Sequence, residues 1–265
     1  AATADLNDIN MIDPFHLEAY GETTVNYNRD VEIFPVLNTI FEKIYGESPY
    51  KSPTDMGVNM AGNCICDDEA CREASKQEII RRYFDALNAL AKGSTSEKEA
   101  QKIELLMNMA GITVTDRKVV IKALERAKET DGPAAALELR DGRIITGKTT
   151  NLLGASAALL LNVLKVLAGI DHETHIISPE SIEPIQKLKV DYLKSKNPRL
   201  HTDEVLIALS ASAATNPQAR LALSQLPELA GCQAHTSVML SDVDIKIFKK
   251  LEVQLTSEAV YEHAL

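Results

Sequence analysis

Tryptophan is absent, and aromatic residues make up only 5% of the 265-residue chain. The core is therefore expected to be aliphatic, built from Leu, Ile, Val and Ala. Cysteine is scarce, and three of the four crowd together as Cys64, Cys66 and Cys71. That is not the spread, even framework of a small secreted domain, so a reduced, cytoplasmic protein is expected. No apolar run reaches the roughly 18 residues that argue for a membrane helix. The most apolar window, 152–170, is broken by Gly154, Ser156, Asn162 and Lys165. Positive charge is in deficit, with 28 Lys and Arg against 38 Asp and Glu and a net charge of −10. Nucleic acid and anionic membranes are poor partners for such a surface, because phosphate contacts need clustered cations. The basic stretches Arg81–Arg82 and Lys187–Lys189 are expected to be solvated helix faces. An initiator Met is also missing, so a processed form or a piece of a longer protein is expected.

What is present is an ordinary globular balance, 45% hydrophobic and 25% charged. Residues 1–27 are polar and irregular. Val31, Phe34, Leu37, Ile40, Phe41 and Ile44 recur at helical spacing and predict a helix over 30–45, with Pro35 in its second turn. Residues 48–68 form a long loop, a length that is usually functional or disordered inside a domain. It carries Asp55, Asn59, Asn63, Cys64 and Asp67. Three helices follow, at 68–92, 96–110 and 115–129, with Ser96 and Thr115 as N-caps and Leu105, Leu106 and Met109 as a core stripe. From Pro133 the texture changes. Strands are predicted at 134–139 and 144–147 around an Asp141-Gly142 hairpin turn, then a helix at 152–168. A short strand at 175–178, a helix at 179–193 and a helical stretch at 201–226, broken at Asn216-Pro217, come next. A strand at 232–240, a helix at 242–251 and a strand at 252–256 close the chain. The fold class is α/β, a helical N-terminal region followed by a three-layer module with a mixed sheet. Three segments are expected: 1–70, loop-rich with one helix; 71–131, helical; and 132–265, the α/β module.

Residues Gly142 to Thr149 spell G-x-x-x-x-G-K-T, the letters of a phosphate loop. The physics argues against one. A phosphate cradle needs converging backbone N–H groups in a flexible loop, whereas Ile144-Ile145-Thr146 are stiff β-branched residues that prefer a strand. Lys148 and Thr149, at a strand end before a helix, remain ligand candidates. Glu180 and Glu183 sit in the first turn of a predicted helix, where acids suit the dipole; with other oxygens they could also bind a hard cation. Cys64-x-Cys66-x₄-Cys71 has the wrong spacing for a common zinc site, and no metal site is expected. His172 and His175 flank the predicted short strand. At His201-Thr202-Asp203, Thr202 or Asp203 is the expected cap, and His235 is expected to be a satisfied strand histidine.

Two resemblances add to this. The order helix, DG hairpin, helix, strand, Ser-Pro, helix over 115–256 resembles the cytidine deaminase fold. That family places His or Cys with Ala-Glu on the helix after the hairpin, and Pro-Cys-x-x-Cys after the next strand. Here Gly154-Ala155-Ser156 and Ser178-Pro179-Glu180-Ser181-Ile182-Glu183 occupy those places, so the zinc ligands and the general acid are missing. Separately, NMIDPFHLEAYGETTVNYNRDVE, TDMGVNMAGNCICDDEACREASKQEI, GRIITGKT, LLGASAALLLN and SPESIEPIQKLKVDYL resemble the C-terminal half of the bacterial domain of unknown function 1846 family. Members are about twice this length, so the resemblance implies a missing N-terminal half bearing a Gly-rich stretch, with a hint of nucleotide use. It implies no catalytic residues and leaves cofactors unknown.

The expected function is the C-terminal part of a cytoplasmic enzyme acting on a small polar molecule, nucleotide-like or phosphorylated. Asp55, Asn59, Asn63, Lys148, Thr149 and Glu180 are the binding candidates and Cys64 the candidate nucleophile. The alternative is a non-catalytic module, a degenerate deaminase-like domain that assembles subunits or senses a ligand. A homo-oligomer is expected, with no nucleic-acid or membrane partner.

Overall fold

A computed structural model describes residues 10–11, 25–48 and 68–262. The chain divides into two compact units, Ala1–Arg117 and Lys118–Leu265.

In the first unit, β1 (Asn10–Met11) pairs antiparallel with β2 (Val25–Asn26). Helices α1 (Tyr27–Tyr45), α2 (Asp68–Ala91) and α3 (Glu97–Ala110) follow, and α3 packs on both of the others. Helix α1 begins before Asp30, so Pro35 lies inside it. Ile79, Ile80 and Phe84 of α2 are buried. On α3 the inward face is set by Ala100 and Met107, seven apart, with Leu106 beside them. The expected stripe is therefore rotated, and Leu105 is 61% exposed. Thr113, not Thr115, caps the short 3-10 turn Val114–Asp116, its N–H donating to the Asp116 carboxylate.

Arg81 and Arg82 are not a solvated face. Both guanidiniums donate to Glu78, three and four residues back, and Arg81 is buried. Arg117 joins them in the interior, donating to Gln77 Oε1 at 3.1 Å. Burial, and then the Glu78 charge, push the Asp85 carboxyl above its ordinary value.

The second unit begins with α4 (Lys118–Thr130) and the hairpin β3 (Ala134–Glu138) and β4 (Ile144–Lys148). Gly142 turns the hairpin at φ +82°, a conformation L side chains rarely adopt. The hydrophobic helix α5 (Ala155–Leu167) comes next, then α6 (Pro179–Lys187) and a π turn at Leu188–Tyr192. Helices α7 (Thr202–Ser212) and α8 (Pro217–Leu223) precede β5 (Gln233–Thr236), α9 (Asp242–Lys250) and β6 (Gln254–Ser257). The sheet order is β4-β3-β5-β6, with β3 antiparallel to both neighbours and β5 parallel to β6.

Alternation along β3 feeds two layers. Ala135 and Leu137 join the main core with α5, while Ala136 packs on Val119 and Ala123 of α4. Helices thus cover both faces of a mixed sheet. The expected strand at 175–178 is absent from it. Ile176 and Ile177 are both buried, so that segment lacks the in–out alternation of an edge strand, and the strand pairing with β3 is β5 instead. Consequently α6 does not follow a sheet strand, and the placement of Ser178–Glu183 opposite the deaminase cysteines falls. Lys189 is also interior, donating to the Arg199 carbonyl at 2.5 Å and to Glu204 Oε2 at 2.8 Å, which corrects its reading as a solvated residue.

Candidate functional site

The phosphate-loop letters have a structural explanation. Ile144–Lys148 is a paired strand, with Ile145 opposite Leu137 and Thr146 opposite Ala136, so no cradle forms. Gly147 is required by packing. A Cβ there would lie 2.2 Å from the Leu159 nitrogen and 2.5 Å from its Cα. Strand β4 therefore touches the backbone of α5.

That close approach builds one wall of a cavity of about 300 Å³. β4 is an edge strand, and its outward Thr146 carbonyl accepts from Asn162 Nδ2 of α5 at 2.9 Å. Ala158, Asn162 and Lys165 recur at helical spacing along the cavity side of α5. Lys148 lines the cavity from β4, Arg126 from α4, and His172 and His175 from the crossing segment. Lys148 has no carboxylate partner among the described residues. Arg126 donates from Nη1 to Glu129 at 3.1 Å, but its buried Nε has no acceptor among the described residues.

Lys165 is the unusual group. Leu159, Leu160, Val163 and Leu164 around it are fully buried. At about 2 kcal/mol each, they carry the last turn of α5 inward against the several kcal/mol that burying an amine costs. Its amine donates to the His172 carbonyl. Burial pushes its pKa below the ordinary lysine value, and the Asp171 and Glu173 charges only partly oppose this.

Of the sequence candidates, Lys148 lies in this cavity. Thr149 is adjacent but outside the lining, its N–H donating to the Pro133 carbonyl at 2.9 Å. Glu180 is exposed in the first turn of α6, apart from the lining; its own N–H and the Ser178 hydroxyl hold its carboxyl below the usual range. Asp55, Asn59, Asn63 and Cys64 lie outside the described residues. Among the described residues no group of three His, Cys, Asp or Glu is arranged to hold a metal ion.

A family model described as "Domain of unknown function DUF1846, C-terminal" matches residues 115–265, and one described as the N-terminal domain matches residues 1–111. The chain belongs to the DUF1846 family. UPF0371 protein cu0538 of Corynebacterium urealyticum is 60% identical over 98% of this chain and 52% of its own length. UPF0371 protein str1377 of Streptococcus thermophilus is 55% identical over 99% of this chain and 53% of its own. The chain spans about half the length of the curated relatives it matches. The narrower expectation of a C-terminal half is corrected, because residues 1–111 match the family's N-terminal model. The family descriptions assign no activity, nor do the relatives' names. Among the described residues of this DUF1846 chain, no helix is long and apolar enough to cross a membrane.

A second polar cluster joins two helix starts in the DUF1846 C-terminal unit. His201, not Thr202 or Asp203, is the N-cap of α7, and Ser241 caps α9. Asp244 Oδ2 meets His201 Nδ1 at 2.9 Å and the Ser241 hydroxyl at 2.7 Å. Its Oδ1 accepts from the Thr202 N–H and hydroxyl, both at 2.9 Å. Ser, His and Asp suggest a nucleophilic triad, but the geometry does not. Ser241 Oγ approaches the same His201 Nδ1 that holds the aspartate, at 3.5 Å, whereas a triad needs the opposite ring nitrogen. The cluster is a clasp. His235 is fully buried, its Nδ1 paired with Thr256 Oγ1 at 2.8 Å, the satisfied strand histidine expected.

Proposed function

We propose that the second unit binds a small anionic molecule, phosphorylated or nucleotide-like, in the β4–α5 cleft, as part of an enzyme acting on it. One observation carries this: Lys148 and Arg126 line one cavity and, among the described residues, the first has no carboxylate partner and the second has a buried Nε that lacks an acceptor. An anion's oxygens would meet both needs. About 300 Å³ is at the small end of ligand sites, suiting a phosphorylated sugar better than a dinucleotide. A reducing, cytoplasmic setting belongs to the same reading, supported by the scarcity of cysteine.

Calorimetric titration with inorganic phosphate and ribose 5-phosphate tests it. Lys148→Ala and Arg126→Ala are each expected to weaken binding about tenfold, roughly 1.4 kcal/mol. Lys118→Ala, an exposed cation outside the lining, should change nothing. Equal binding by all four proteins sinks the proposal.

A deaminase-like layout for this unit belongs to the same proposal. What supports it is the order α4, hairpin, α5, β5, α9, β6, with α6 to α8 inserted before β5. Zinc chemistry is not part of it. Neither Gly154-Ala155-Ser156 before and into α5 nor Ser237–Ser241 before α9 carries a cysteine or histidine.

A non-catalytic assembly module is the second reading. It is favoured by the exposure of Tyr192 (78%), Leu193 (69%) and Ile207 (67%). Sedimentation of the chain is then expected to show an oligomer that Ile207→Asp dissociates. A monomer at high micromolar concentration rejects this reading.

A further inference from the structure

The anion site accounts for Lys148 and Arg126 but not for Lys165. A lysine placed only to add positive charge would keep its ammonium in water or against a carboxylate. Lys165 does neither. It is 8% exposed, follows two turns of leucine and valine, and among the described residues donates to the His172 carbonyl alone. No carboxylate pairs with it among the described residues; Asp171 and Glu173 act on it only through their charge. An ammonium with one acceptor for three protons is poorly solvated, so this site favours the neutral amine. Lys148, Arg126, His172 and His175 line the same cavity. A neutral amine that donates to a carbonyl keeps its nitrogen lone pair. A lysine desolvated among apolar side chains is the arrangement that activates an amine toward carbonyl carbon.

We propose that Lys165 is the nucleophile of this cleft and condenses with the aldehyde or ketone of a small molecule whose phosphate or carboxylate is held by Lys148 and Arg126. This rests on the anion-binding reading above. The lone pair of Nζ forms a C–N bond as the carbonyl π pair moves to oxygen. One amine proton passes to that oxygen, giving a carbinolamine. The nitrogen lone pair then forms C=N as the hydroxyl, protonated, leaves as water, and the remaining amine proton is lost or kept on nitrogen. One water is released and nothing is oxidised or reduced. His172 and His175, which line the same cavity, offer imidazoles to carry the proton between nitrogen and oxygen.

Pyridoxal 5'-phosphate, a phosphorylated aldehyde, is the probe. The 265-residue chain is incubated with it, reduced with borohydride to fix any imine, digested, and the adduct located by mass spectrometry. The expected result is about one label per chain on Lys165, protected at least tenfold by inorganic phosphate. Lys165→Met should lose this label and still bind phosphate; locating the adduct in the unsubstituted chain needs no variant. If phosphate binds by calorimetry but label appears only on exposed lysines such as Lys122 and Lys187, the imine proposal is overturned and the anion site stands. If neither phosphate nor pyridoxal phosphate binds, both are overturned.

Discussion

Gly147→Ala is expected to cost the second unit about 3 kcal/mol or more, the upper range for forcing atoms into a packed interior. The new methyl carbon would lie 2.2 Å from the Leu159 nitrogen and 2.8 Å from the Ala155 carbonyl oxygen, all backbone, so no side-chain rotation relieves it. Either α5 lifts off β4 or the hairpin moves. For a unit of this size, about 3 kcal/mol lowers Tm by roughly 6–12 °C. Melting followed by circular dichroism measures this, with Gly142→Ala as the comparison. Nothing lies within 4 Å of a Cβ at Gly142, and only its positive φ opposes alanine. That variant should lose about 1 kcal/mol. A Gly147→Ala protein melting as the parent does, or above Gly142→Ala, would show that strand and helix are not in backbone contact. The same displacement would part Asn162 from the Thr146 carbonyl, so surviving Gly147→Ala protein should also bind phosphate more weakly.

The two glycines show what a sequence of this kind reveals and what it hides. Asp141-Gly142 announces the hairpin because its chemistry is local: a positive φ and an aspartate accepting from the Arg143 N–H. Gly147 gives no such sign, since its need comes from a helix that approaches twelve residues later in the chain. Lys148 stands out in the sequence for its place in a phosphate-loop pattern that does not form, yet it lines the cleft. Asn162 and Lys165 are legible only as interruptions of an apolar run, which exclude a membrane helix. Their spacing with Ala158 on one helical face is the signal that marks the cleft. The layered α/β class is legible from the change of period at Pro133. The strand at 175–178 is misread because two consecutive buried isoleucines look alike in a strand and in an irregular crossing. Buried charges mislead most: Arg81 and Lys189 look solvated until Glu78 and Glu204 are placed beside them.

Asp244→Ala is expected to cost about 3–4 kcal/mol, the range for removing one partner of a buried charged network. It would strand the Thr202 N–H and hydroxyl, the Ser241 hydroxyl and His201 Nδ1 at once, and two helix starts would lose their link. Burial alone pushes the Asp244 carboxyl up, but the bonds from His201, Thr202 and Ser241 outweigh it and hold the pKa at about 2, below the ordinary 3.8. That difference is worth about 2.5 kcal/mol. A lowered carboxylate stabilises fully above its unfolded pKa, so this contribution is present above about pH 4 and drains away as pH falls toward 2. His201 runs the other way. Its bond to Asp244 raises its pKa against the opposing effect of burial, so its contribution is full below about pH 6.5 and is lost as pH rises through the raised value. Both limbs report one ion pair, whose energy counts once. The clasp is therefore strongest between about pH 4 and 6.5. Urea unfolding of the parent and of Asp244→Asn, which keeps the shape and removes the charge, should differ most at pH 5, with the gap roughly halved at pH 3 and nearly closed at pH 2. A gap that stays constant from pH 3 to pH 8 would mean that Asp244 holds the two helices by packing and neutral hydrogen bonds alone.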